Sequence, residues 1–165
     1  MQTYHGKFRG LVMDNADPET RGRLSVTVPS VLGDLEVWAM PCVPFAGPNQ
    51  GLFAMPPVGA NVWVEFEAGN TSYPIWVGCF WKEDDLDPNE ARPNVKMFRT
   101  EKFSLTVDDE NGDITIENEG GTRLLLTAID GTLESGTVYV KGASGRKIAL
   151  TASGVSVNDG ALEVT

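Results

Sequence analysis

The chain has 165 residues, is 41% hydrophobic and carries a formal net charge of −10. That length admits one domain plus an appendage, and the hydrophobic share lets at least part of it bury a core. The acidity argues against nucleic acid and anionic membrane surfaces as partners, because phosphates are held by Lys and Arg.

Residues 1–10 (MQTYHGKFRG) lack the apolar stretch of a signal peptide. No run approaches the 18 apolar residues of a spanning helix. Synthesis in the cytoplasm without a signal peptide is therefore expected. Strands are predicted over 7–13 (KFRGLVM), 23–29 (RLSVTVP), 35–43 (LEVWAMPCV), 61–67 (NVWVEFE) and 74–81 (PIWVGCFW). In 23–29 the alternation puts Leu24, Val26 and Val28 on one face and Arg23, Ser25 and Thr27 on the other. Turn chemistry at Asp17-Pro18 and a long Gly/Pro loop over 44–58 separate them. Short strands at this spacing predict a small barrel or sandwich. The two thiols, Cys42 and Cys79, stand in apolar runs and read as buried and reduced, with a disulfide as the alternative. The four Trp (Trp38, Trp63, Trp76, Trp81) read chiefly as core, with a sugar-stacking platform as the alternative.

The character then changes. All four Trp and all ten Pro lie before residue 94, and after Phe103 the one aromatic is Tyr139. Residues 82–102 read as a solvated linker with an acidic run. Residues 103–165 repeat apolar–x–apolar triplets beginning at Leu105, Ile114, Leu124, Val138, Ile148, Val155 and Leu162, with a weaker strand at Leu133. Asn111-Gly112, Asp130-Gly131 and Asp159-Gly160 are turn dipeptides between them. Such alternation buries one face only. One copy has nothing large to set against that face, and the backbone entropy of ordering it is heavy. Identical copies wound together would cover the face and pair the edges. A homo-oligomeric β-prism or β-helix is expected.

Chemistry has few candidates. His5 is the one histidine, and a packing role outweighs metal or catalysis. The run Asp108, Asp109, Glu110, Asn111, Gly112, Asp113 misses the calcium-loop pattern, since Val107 and Asn118 would fall at its first and twelfth positions. It reads as a hairpin turn. The carboxylates Asp84, Asp85, Asp87 and Glu90 lie in the linker, with no pocket to desolvate them as a glycosidase pair. Gly142, Ala143, Ser144 and Gly145 do not make a nucleophile elbow. No enzymatic activity, cofactor or metal is expected.

Several collinear pieces between residues 17 and 81 resemble the OB-fold domain of the central spikes of contractile injection systems: phage baseplate spikes, the valine-glycine repeat protein G family of type VI secretion, and extracellular injection particles. Asp17-Pro18 with 22–29 (GRLSVTVP) resembles that family's DP…GRV-x-V-x-x-P. Trp38-Ala-Met-Pro41 and Phe45-Ala-Gly47 resemble its W-x-R/P and A-G pieces. Residues 56–66 (PPVGANVWVEF) resemble P-x-V-G-d-x-V-x-V-E-F, and Gly69-Asn70 with 74–78 (PIWVG) resembles G-d-x-x-x-P-I-V-x-G.

The resemblance implies an all-β chain: an OB-fold collar over 1–81, a linker over 82–102, and a trimeric intertwined β-helical needle over 103–165. It implies a structural spike of a virion or injection particle. Its partners would be two further copies of itself, a baseplate hub protein and a PAAR-like cap at the tip, with transient contact with the target membrane as it punctures. These 165 residues hold no lysozyme-like insertion and no HxH, so peptidoglycan hydrolysis and an iron-capped tip are not implied, and the hub is expected to be a separate protein. Ile116, Val140, Ile148, Leu150, Val155 and Val157 are expected to point into the trimer core. Leu162, Val164 and Thr165 are expected at the tip. Gly22, Gly59 and Gly78 are expected as backbone requirements of the barrel. An OB-fold module binding carbohydrate or single-stranded nucleic acid, and a hydrolase, are the rival readings.

Overall fold

A computed structural model describes residues 2–141, 146–159 and 161–164. Thr165, the 142–145 segment and Gly160 of the last turn dipeptide lie outside them. The chain divides into two units, Met1–Leu86 and Asp87–Thr165.

In the first unit five strands close a barrel: β1 (Phe8–Asp14), β2 (Leu24–Val28), β3 (Gly33–Pro41), β6 (Asn61–Phe66) and β7 (Pro74–Cys79), in the order β1-β2-β3-β7-β6. All pairs are antiparallel except β3 with β7, where Met40 faces Ile75 and Pro41 faces Trp76. This is the five-stranded OB barrel. One helical turn, α1 (Pro29–Leu32), follows β2, with Pro29 supplying the fixed φ suited to a helix start. The 44–58 loop carries a minimal hairpin, β4 (Ala46–Gly47) with β5 (Gln50–Gly51).

Alternation explains the core. Leu24, Val26 and Val28 are fully buried with Val12, Val62 and Val64, and Phe66, Trp76 and Ala39 complete the cluster. Trp76 donates its indole N–H to the Gly22 carbonyl at 3.1 Å, so its polar tip is satisfied inside.

The loop before β2 is held by one carboxylate. Asp17 Oδ1 accepts from Arg23 Nη2 (2.7 Å) and Nε (3.0 Å), and Oδ2 accepts from the backbone N–H of Arg21 (2.8 Å) and Arg23 (3.1 Å). Both side chains are largely buried. These charge-assisted bonds, with the Arg23 guanidinium foremost, hold the Asp17 carboxyl well below the usual carboxylate range.

Four expectations need correction. Of the Trp residues Trp76 alone is buried; Trp38 and Trp63 are half-buried and Trp81 is exposed. The outer rings carry cations instead, Arg23 over Trp38 and Arg9 over Trp63. Cys42 and Cys79 are free thiols but exposed. Each lies at or just past the end of a barrel strand, where the barrel no longer covers it. Ser25, placed on the polar face, is buried opposite Trp38. Finally, residues 95–99 of the expected linker form a strand that pairs with the first triplet strand, Phe98 standing opposite Leu105.

The second unit holds two antiparallel meanders. The first runs β8 (Val95–Arg99), β9 (Phe103–Asp108), β10 (Asp113–Asn118), β11 (Arg123–Leu126) and β12 (Gly131–Glu134). The second runs β13 (Val138–Lys141), β14 (Lys147–Thr151), β15 (Gly154–Val157) and β16 (Leu162–Val164). The apolar triplets and Leu133 each fall on one of the strands β9 to β16. Side chains cap the turns between them: Asp108 accepts from the Glu110 N–H at 2.9 Å, and Asn118 from the Thr122 N–H at 3.1 Å.

Candidate functional site

Strand register decides which side chains share a face. In the first meander Phe98, Leu105, Ile116, Leu124 and Leu133 stand opposite one another in a row across all five strands. Beside it runs a second row, Val107, Ile114 and Leu126. The other face carries Ser104, Thr106, Thr115, Glu117, Thr132 and Glu134, with Val95, Met97 and Leu125 as its apolar members.

The second meander repeats the plan. Val140, Ile148, Val157 and Leu162 form one row, and Val138, Leu150, Val155 and the Val164 position form the next. Tyr139, Ala149 and Ser156 lie on the opposite face. There the Tyr139 ring carries Lys141 Nζ at 5.3 Å and Lys147 Nζ at 5.8 Å from its centroid.

These aliphatic rows are open in a single chain. Val140 is 59% exposed, Leu150 43%, Ile148 41% and Ile116 37%. Val157 is half-buried. A soluble monomer rarely leaves a contiguous aliphatic face in water, and such a face marks an interaction surface. Five of the six residues expected in the trimer core therefore sit together on the second meander, and Ile116 sits on the equivalent face of the first. Leu162 is an exposed side chain on β16, which pairs with β15 on one side only among the described residues. Phe98 and Leu133 belong to the same rows and were missed as core candidates. Phe98 was hidden by its place in the Pro-containing linker, and Leu133 by having a single apolar residue in its strand.

Gly22, Gly59 and Gly78 all adopt positive φ, at 74°, 85° and 146°. Gly78 lies on β7 beside the register shift between Trp63 and Val64 of β6, a bulge that bends the barrel wall. Gly59 donates its N–H to the Val12 carbonyl at 2.8 Å.

The described residues assemble no catalytic constellation. No group of three or more His, Cys, Asp or Glu among them could hold a metal ion, and no helix among them is long and apolar enough to cross a membrane. His5 lies against Gly69, where an added Cβ would meet its ring at 2.8 Å. Asp108 is tied to Arg92 at 3.2 Å and to its own turn.

Two family models match consecutive parts of the chain. Residues 8–81 match the type VI secretion system/phage-baseplate injector OB domain. Residues 94–163 match the phage baseplate V C-terminal trimerisation domain. No curated protein matches. The closed five-stranded barrel agrees with the first match, and the chain belongs to the spike-type proteins of phage baseplates and type VI secretion systems. It is a structural component of a baseplate or injection particle, and it self-associates as a homotrimer.

Proposed function

We propose that three copies form the central spike of a contractile injection machine. The three barrels make a collar that docks to a hub protein beneath the tube. The three tails close their aliphatic faces on one another into a β-helical needle, with Ile116, Val140, Ile148, Leu150, Val155 and Val157 inside. The needle leads puncture of the target envelope and touches its membrane only in passing. The open edge of β16, with Leu162 exposed beside it, offers backbone donors and acceptors to a PAAR-like cap. The domain division follows the same reading: a collar, a connecting segment and a needle, with β8 joined to the needle. No step of this role is catalytic.

The observation that carries the reading is an OB barrel followed in the chain by a pair of one-faced aliphatic meanders. Imaging of assembled particles tests it. Density for three barrels on the particle axis, between the tube and the tip, is the expected result. Location on a fibre or at the sheath periphery would overturn it.

A further inference from the structure

The barrel unit contains five cations, Lys7, Arg9, Arg21, Arg23 and Lys82, against ten carboxylates. Three are paired: Lys7 with Glu65, Arg21 with Glu19, and Arg23 with Asp17. Arg9 and Lys82 have no carboxylate partner among the described residues. In so acidic a unit that is unexpected. Both line one groove of about 590 Å³ on the outside of the barrel, together with Lys7, Ser30, Asn61 and Trp63.

Arg9 is fixed in that groove by stacking. Its guanidinium carbon lies 4.9 Å from the centroid of Phe80 and 5.3 Å from that of Trp63, and the two rings are themselves 4.6 Å apart. Stacking uses the flat face of a guanidinium and leaves its N–H edge for a planar acceptor such as a carboxylate. A held Arg loses less rotamer freedom on pairing than a free one. The groove is therefore a preorganised acceptor for an acidic segment.

The chain supplies such a segment. Asp85 accepts from the Lys82 N–H at 2.6 Å and shapes a turn in which Asp84 takes φ 67°. That turn presents Glu83 and Asp84, both exposed, and neither reaches a cation within its own chain among the described residues. In a homotrimer the neighbour's turn is at millimolar effective concentration.

We propose that Glu83 and Asp84 of each copy dock in the Arg9–Lys82 groove of the next, closing the collar by a ring of three identical charge contacts. This rests on the homotrimer. It adds a second contact that depends on salt, unlike the aliphatic needle.

Two variants co-expressed in one cell test it. One carries Lys7→Arg and Lys82→Arg, which keeps the charge but removes the amines. The other carries Glu83→Gln and Asp84→Asn. Carbodiimide then joins an amine of the second variant to a carboxylate of the first, and an amide between Lys82 and Glu83 or Asp84 can form only between chains. That cross-linked peptide is expected by mass spectrometry in native trimers. Its yield should fall at least fivefold at about 0.5 M salt and on adding Arg9→Glu to the second variant. A trimeric native mass with no such cross-link overturns the docking and leaves the homotrimer standing; the groove would then await an acidic segment of another protein. A monomeric native mass overturns both.

Discussion

A single charge on the aliphatic face should take the trimer apart. Val140 stands in the row with Ile148, Val157 and Leu162, and it is 59% exposed in one chain. Burying that remainder in the assembly stabilises each copy by about 1–2 kcal/mol. Val140→Asp removes this and sets an unpaired carboxylate in an apolar interior, at a cost of roughly 3–4 kcal/mol per copy. Three copies multiply the penalty to roughly 12–18 kcal/mol, at least eight orders of magnitude in the trimer constant. Native mass spectrometry and light scattering across a dilution series should show monomer or aggregate in place of a trimer of the 17.8 kDa chain. Tyr139→Asp is the control, because the neighbouring residue points to the opposite face. It should remain trimeric. A Val140→Asp protein that stays trimeric with unchanged melting temperature would refute the inward assignment, and identical losses in both variants would refute the parity argument.

Three further outcomes are expected. Removing residues 87–165 should leave a folded barrel that is monomeric or only weakly associated, since its buried core is its own; a tight trimer by light scattering would show that the needle is not the main clamp. Gly78→Val should destabilise the barrel by about 1–3 kcal/mol, because φ 146° is strained for a residue with a Cβ even though the space beside it is open; an unchanged melting temperature would remove the backbone reading. Asp17→Asn should lower the barrel's melting temperature and flatten its acid dependence. The native Asp17 carboxyl is depressed, so its contribution is complete above the ordinary carboxylate pKa of about 3.9 and is lost as pH falls below it. Acid unfolding curves that superimpose for the two proteins would contradict this.

Sequence alone determined the elements whose signal is local. The alternation of Leu24, Val26 and Val28 named a buried face because a strand has period two, and the same reasoning located β9 to β11 and β13 to β16 from their triplets, with β12 marked by Leu133 alone. Asn111-Gly112 and Asp130-Gly131 marked where the first meander reverses. The collinear motifs identified the barrel's family. Tertiary structure decided what depends on closure and register. Trp63 and Trp38 look like core residues by type, but the barrel wall is one residue thick and turned their faces outward onto Arg9 and Arg23. Ser25 is polar by type and buried because register set it opposite Trp38. Cys42 and Cys79 sit in apolar runs and are exposed because the strands end there. Phe98 reads as linker until β8 pairs with β9 and aligns it with Leu105. Period predicts which side chains share a face within one strand; only pairing across strands joins those faces into a surface with something to bind.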